Sequence, residues 1–136
     1  MIFADTSAFI ALLNGDDRYH SAATDTWLRL TQEPGELMTT NYVVLETISL
    51  LQRRIGLNAV RDFLSSLLPL LQVDYVDAPL HEAAINFMLA QDRRHLSLVD
   101  SVSFIFMRRM GMTHVFGYDG DFVRFGFEAT IEKQSD

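Results

Sequence analysis

Three acidic side chains in this 136-residue sequence stand alone in apolar surroundings where solvation does not explain them, and a fourth candidate follows an apolar run. Asp5 is the only charge in the opening stretch M-I-F-A-D-T-S-A-F-I-A-L-L. Glu46 is the only charge from Leu37 to Gln52, within Y-V-V-L-E-T-I-S-L-L. Asp100 is the only acid from His95 to Met107, within L-S-L-V-D-S-V-S-F-I-F-M. Asp119 follows an apolar run in V-F-G-Y-D-G-D-F, and Asp121 lies two residues further on. A lone carboxylate in such a place either takes up a proton or binds a cation. No Arg or Lys lies one helical turn from Glu46 or Asp100, so a partner must come from elsewhere in the fold or from solution. The chain has no cysteine, and His20, His81, His95 and His114 are dispersed without ligand spacing. A carboxylate set of this kind suits hard, oxygen-seeking cations, Mg²⁺ or Mn²⁺. Such ions neutralise phosphate and activate water for in-line attack, which points to phosphodiester chemistry. The plainer alternative is four unrelated acids. Asp5, Thr6 and Ser7 are all helix-capping residue types, and Asp119-Gly120 reads as an ordinary turn.

The elements that must position these acids alternate along the chain. Ile2–Ala4 is a short buried strand that turns directly at Asp5 into a helix over Ala8–Leu13. A second helix starts at Tyr19 and ends near Glu33-Pro34-Gly35, a clear breaker. Leu37–Thr39 is a strand, and Asn41 opens a third helix over Tyr42–Arg54 that Gly56 stops. Asn58 starts a fourth helix through Leu68, closed by Pro69, and Leu70–Val76 reads as a strand. Pro79 begins a fifth helix, ending in the charged run Gln91–Arg94, and Leu98–Met110 is a sixth, stopped by Gly111. Thr113–Phe116 is a fourth strand, Gly117–Asp121 a loop, Phe122–Arg124 a helical turn and Phe127–Ile131 a last edge strand. Glu132–Asp136 reads as a solvated tail. This order predicts an α/β fold: a three-layer α/β/α sandwich around a central, mainly parallel sheet of four or five strands. Ligands of open α/β sheets bind beyond the carboxyl ends of the strands. Asp5 and Asp119 both follow strands, and Glu46 and Asp100 lie near the starts of helices, so all four belong at that end.

Bulk properties narrow the function classes. The length fits one domain over residues 1–136, large enough to bury a core. No apolar run approaches the ~18 residues of a membrane span, and no basic segment precedes the first apolar stretch, so the expected location is the cytosol, away from membranes. The net charge of −7 argues against non-specific duplex binding driven by counterion release. It leaves room for a nucleic-acid enzyme, because local charge can oppose the total. Ten of the eleven basic residues are arginines, with Lys133 the only lysine. Arg53-Arg54, Arg93-Arg94 and Arg108-Arg109 fall at helix C-terminal ends, where the helix dipole favours cations. No Gly-rich phosphate loop is present.

The stretches I-F-A-D-T-S-A-F-I-A-L-L, T-N-Y-V-V-L-E-T, L-S-L-V-D-S-V-S-F with M-R-R-M-G behind it, and V-F-G-Y-D-G-D-F together resemble PIN-domain ribonucleases. Within that superfamily the likeness is to VapC toxins of bacterial type II toxin–antitoxin systems, over nearly the whole chain. The resemblance implies a metal-dependent endoribonuclease whose four acids match Asp5, Glu46, Asp100 and Asp119, with Asp121 supplementing the fourth. It implies that these side chains hold Mg²⁺ or Mn²⁺, that cleavage of RNA leaves a 5′-phosphate and a 3′-hydroxyl, and that Thr6, Asn41 and Ser97 are small polar neighbours of the site. It also implies a homodimer silenced by an antitoxin protein. One departure is Gly117-Tyr118, where the family commonly has a Thr-Phe or similar pair.

Three rivals from other classes can be weighed on the same residues. A non-catalytic PIN-fold binding module would be favoured by loss of an acid, and all four are present. A receiver-type phosphoryl-transfer domain needs a lysine near the last strands, and Lys133 in the tail is poorly placed. A haloacid-dehalogenase-type phosphatase would want an Asp two residues after the first, where Ser7 stands.

Overall fold

The computed structural model describes residues 1–130. Five strands form one sheet: β1 (Ile2–Ala4), β2 (Leu37–Thr40), β3 (Gln72–Asp74), β4 (His114–Phe116) and β5 (Glu128–Ala129). Their spatial order is β3-β2-β1-β4-β5, and every pairing is parallel. The α-helices of the described residues are α1 (Thr6–Leu13), α2 (His20–Leu30), α3 (Asn41–Arg54), α4 (Leu57–Asp62), α5 (Ala78–Gln91), α6 (Leu98–Arg109) and α7 (Asp121–Arg124). The expected α/β class and parallel sheet are therefore both present. The expected tail, Glu132–Asp136, and the end of the last strand, Ile131, lie outside the described residues.

A parallel sheet must be covered on both faces, because its crossovers lay helices over it. The alternation of side chains along β1 and β4 shows how. Phe3 and Val115 are register partners and share one face. There the Phe3 ring tilts against Phe106 of α6 and Phe122 of α7. Ala4 and Phe116 are the next register pair and share the other face, where Phe116 meets Trp27 of α2. Phe104 is fully buried on α6 and touches the rings of Phe87, Phe122, Phe125 and Phe127. On the α1 side Phe9 packs against Phe63.

The topology fixes where the chain leaves an opening. From β1 the chain moves outward through β2 to β3, then returns to lay β4 against the opposite edge of β1. Right-handed crossovers then put the helices before and after that return on opposite faces. The carboxyl ends of β1 and β4 thus flank the topological switch point, where an open α/β sheet leaves its crevice.

Two local expectations need correction. The helix placed over Asn58–Leu68 starts at Leu57 and is α-helical only to Asp62. It widens into a π turn over Phe63–Leu67, with the Leu68 N–H bonded to the Phe63 carbonyl, and closes as a 3₁₀ turn over Leu68–Leu70. Pro69 causes this: it has no N–H to continue the ladder, and its ring crowds the carbonyl four residues back. Because Leu70 is used in that turn, the strand placed over Leu70–Val76 shrinks to Gln72–Asp74. Val76 instead donates its N–H to Asn41 Oδ1 at 2.7 Å.

The aromatic cluster generates a stability prediction. Phe104→Ala should cost about 3–5 kcal/mol, because the rings around it cannot close the void. Val123→Ala, at a position 59% exposed, should change stability by less than about 0.5 kcal/mol. Urea denaturation of the two variants checks the contrast.

Candidate active site

Asp5 is both the cap of α1 and the floor of the crevice. Its backbone N–H bonds to the Phe116 carbonyl at 2.9 Å, which ties the end of β1 to the end of β4. Its Oδ2 accepts from the Ser7 N–H at 3.2 Å and from the Ser7 hydroxyl at 2.7 Å. Ser7 Oγ in turn accepts from the Tyr118 N–H at 2.8 Å. Oδ1 is buried and has no hydrogen-bond partner. The capping and functional readings of Asp5 are therefore compatible, since one oxygen caps and the other stays uncompensated.

The other acids reach the same place from separate elements. Asp119 follows β4, and its Oδ1 accepts from the Asp121 N–H at 3.0 Å. Asp121 is the first residue of α7 and bonds Arg124 at 2.9 Å. Asp100 stands in the first turn of α6, whose cap Ser97 accepts from the Asp100 N–H at 3.0 Å. One carboxylate oxygen from each of Asp100, Asp119 and Asp121 lies within 4.8 Å of the others. Glu46 comes from α3, which is anchored to α1 by a buried bond from the Thr47 hydroxyl to Thr6 Oγ1 at 3.3 Å. Asp5, Glu46, Asp100 and Asp119 all line one pocket of about 430 Å³. Asp121 stands beside it through its contact with Asp119. Of the small polar neighbours, Thr6 and Ser97 line the pocket, whereas Asn41 is engaged with Val76.

Burial perturbs two of these acids, Asp5 and Asp100, in the direction physics requires. Burial pushes the Asp5 carboxyl up to about 6, against the two Ser7 hydrogen bonds, and the charges of Glu46 and Asp119 add to the rise. Burial also pushes Asp100 up to about 8, helped by the charges of Asp5, Asp119 and Glu46 and opposed by Ser97.

The structure also brings in residues that motif reading passed over. Tyr19 and Tyr118 line the pocket as a stacked pair, with ring centroids 4.3 Å apart, and Arg18 lies over the Tyr19 ring. Burial and the nearby Asp17 charge raise the Tyr118 hydroxyl above its ordinary value. Leu50 and Arg54 join Glu46 at four-residue intervals along α3. That spacing was available in the sequence once α3 was recognised as a helix. The pairing of Tyr19 with Tyr118, ninety-nine positions apart in sequence, had no local signal. Gly117 fits tightly. A Cβ there would stand 2.9 Å from Asp5 Cβ and 3.1 Å from Ser7 Oγ, so the departure from a Thr-Phe pair accompanies a close approach of β4 to Asp5.

Two predictions follow from this packing. In chelator, the raised Asp100 value makes the folded state hold a proton that the unfolded state releases. Its stabilising contribution is whole below the ordinary 3.8 and is lost as pH rises to about 8. Asp100→Asn removes that loss, so its melting point should exceed wild type by about 5 °C or more at the alkaline end, and the gap should shrink on acidification. Melting curves across that window check it. Gly117→Ala should cost about 1–3 kcal/mol by forcing Asp5 aside, whereas Gly120→Ala, with nothing within 4 Å, should stay within about 0.5 kcal/mol.

Known proteins share this arrangement of elements. A PIN domain profile matches residues 2–128. The 23S rRNA-specific endonuclease VapC20 of Mycobacterium tuberculosis is 39% identical over 128 residues, covering 93% of this chain and 95% of that protein. The crystal structure of M. tuberculosis VapC20, described as a Sarcin-Ricin loop cleaving toxin, superposes with a TM-score of 0.82 at 38% identity, over 93% of this chain and 96% of that one. FitAcB from Neisseria gonorrhoeae shares the fold at 16% identity, with a TM-score of 0.64 over 95% and 96% of the two chains. A profile that runs from the first residue of β1 to the first residue of β5, and a relative that matches nearly end to end, leave one assignment: the chain belongs to the PIN domain family.

Proposed function

We propose that this protein is a metal-dependent endoribonuclease of the VapC toxin class. The observation that carries the reading is the convergence of Asp5, Asp100 and Asp119 at the switch point, with Glu46 and Asp121 beside them. The 39% identity to a 23S rRNA-specific endonuclease supports RNA as substrate and makes a ribosomal RNA loop the first target to test. A non-catalytic binding module would gain nothing from burying Asp5 Oδ1 without a partner or from holding Asp100 in a repulsive cluster. The partners that accompany this reading are an antitoxin protein and a second copy of the chain. No helix among the described residues is long and apolar enough to cross a membrane.

The donor set fits a divalent cation. It offers carboxylate oxygens with neither His nor Cys in the pocket, and one of those oxygens is buried without a hydrogen bond. Asp100, Asp119 and Asp121 would hold the ion, with Asp5 and Glu46 completing its surroundings. Mg²⁺ or Mn²⁺, when bound, supplies charge that offsets the phosphate and lowers the pKa of water for in-line attack. The remaining work belongs to the chain. Ser7 and the Tyr118 N–H hold Asp5 in one orientation. Ser97 fixes the first turn of α6 and with it Asp100. Thr6 and Thr47 hold α3 so that Glu46 faces the same pocket. Burial of Asp5 and Asp100 excludes water from the floor, where electrostatic interactions are strongest. The proton on Asp100 must leave before its carboxylate can act as a ligand, so occupancy and protonation compete.

Cleavage of a ribosomal RNA hairpin by purified protein, with Mn²⁺, with Mg²⁺ and with chelator, tests the reading. Cutting should need the metal and fall by at least about a hundredfold in Asp5→Asn and Asp100→Asn. Metal-independent cutting, or full activity in both variants, would overturn it. Mn²⁺ should also raise the melting point in proportion to occupancy, and its apparent affinity should tighten as pH rises towards about 8. Calorimetric titration at a series of pH values measures that trend.

A further inference from the structure

Building on the nuclease reading, we propose that Arg54 is a positioning residue that grips a phosphate of the RNA strand next to the one being cut. The pocket is lined by Asp5, Asp17, Glu46, Asp100 and Asp119, and Arg54 is the one basic side chain among its lining residues. An RNA strand approaching these acids in a chain of net charge −7 is repelled unless a local cation offsets them. Glu46, Leu50 and Arg54 lie on one stripe of α3, and all three face the pocket. Eight residues of helix separate Arg54 from Glu46 by roughly 12 Å along the axis. Arg54 therefore stands at the rim and not among the acids that surround the reacting phosphate. Its side chain is exposed, and among the described residues it has neither an ion pair nor a hydrogen bond, so its guanidinium is available. A guanidinium presents two parallel N–H groups to two phosphate oxygens, a geometry that lysine lacks.

Arg53 supplies the internal comparison. It is exposed, sits at the same helix end and carries the same charge, but it does not line the pocket. The helix dipole favours a cation at either position. It does not account for one of the two sharing a pocket with five acids.

The test measures binding apart from cleavage. Fluorescence anisotropy with a labelled ribosomal RNA hairpin would use Asp100→Asn protein, alone and combined with Arg54→Ala, Arg54→Gln, Arg54→Lys or Arg53→Ala, over a KCl series. Arg54→Ala and Arg54→Gln should each weaken binding about tenfold. Each should also flatten the slope of log affinity against log salt by ~0.7, the loss of one phosphate contact. Arg54→Lys should restore the slope and part of the affinity, and Arg53→Ala should change neither. In single-turnover cleavage with Mn²⁺, Arg54→Ala should raise the half-saturating protein concentration and leave the maximal rate within about twofold. If Arg54→Ala and Arg54→Gln match Arg53→Ala in affinity and slope while the wild type still cuts RNA, the Arg54 proposal is wrong and the nuclease reading stands. If Arg54 controls binding but the wild type cuts nothing, the phosphate contact stands and the nuclease reading falls.

Discussion

Like-charge repulsion inside a desolvated crevice is the constraint that the rest of this structure answers. Asp5 and Asp100 are buried, each is pushed towards its protonated form, and each feels the charge of Glu46 and Asp119. A fold seeking stability alone would not gather them, because buried carboxylates without partners oppose folding. Holding the acids together requires a scaffold that stays folded despite them. The two hydrophobic layers provide it: the Phe104 cluster under α5, α6 and α7, and the Phe9–Phe63 and Trp27–Phe116 contacts on the opposite face.

Asp5 shows how little room the scaffold leaves. It joins β1 to β4 through its backbone, caps α1 through one oxygen and leaves the other without a hydrogen bond. Ser7 links it to the Tyr118 N–H, and Gly117 lets the end of β4 come within contact of the Asp5 side chain. The orientation of the acid is thus set by a hydrogen-bond relay and by the lack of a single methyl group. Side chains at a site of this kind gain precision when neighbouring groups lock them in this way.

Protonation and cation binding are two answers to the same electrostatic problem. With the cluster free of cations, the proton on Asp100 lowers its repulsion with Asp5, Asp119 and Glu46. A divalent ion replaces that proton with more charge and with directional bonding to several oxygens at once. On the proposed reading, Arg54 at the rim has a separate role, since it would face a polyanion and not the acids alone.

How much of this was legible in the sequence depends on range. Asp5, Glu46 and Asp100 were conspicuous because each is a lone charge in an apolar run, and strand–helix alternation was enough to place Asp5 and Asp119 after strands. Boundaries failed where a local backbone rule competed with hydrophobic periodicity, as at Pro69, whose missing N–H reshaped the helix before it and shortened the strand after it. By itself the sequence determined the parallel α/β class and which acids stand alone in apolar runs, because periodicity and residue type are local properties. Only the tertiary structure decided which oxygens meet within 4.8 Å, why Gly117 stands beside Asp5, and that Tyr19 stacks on Tyr118. It likewise decided which of two adjacent arginines faces the acids. Those outcomes depend on how β1 and β4 come together at the switch point, and on packing between residues as many as 111 positions apart.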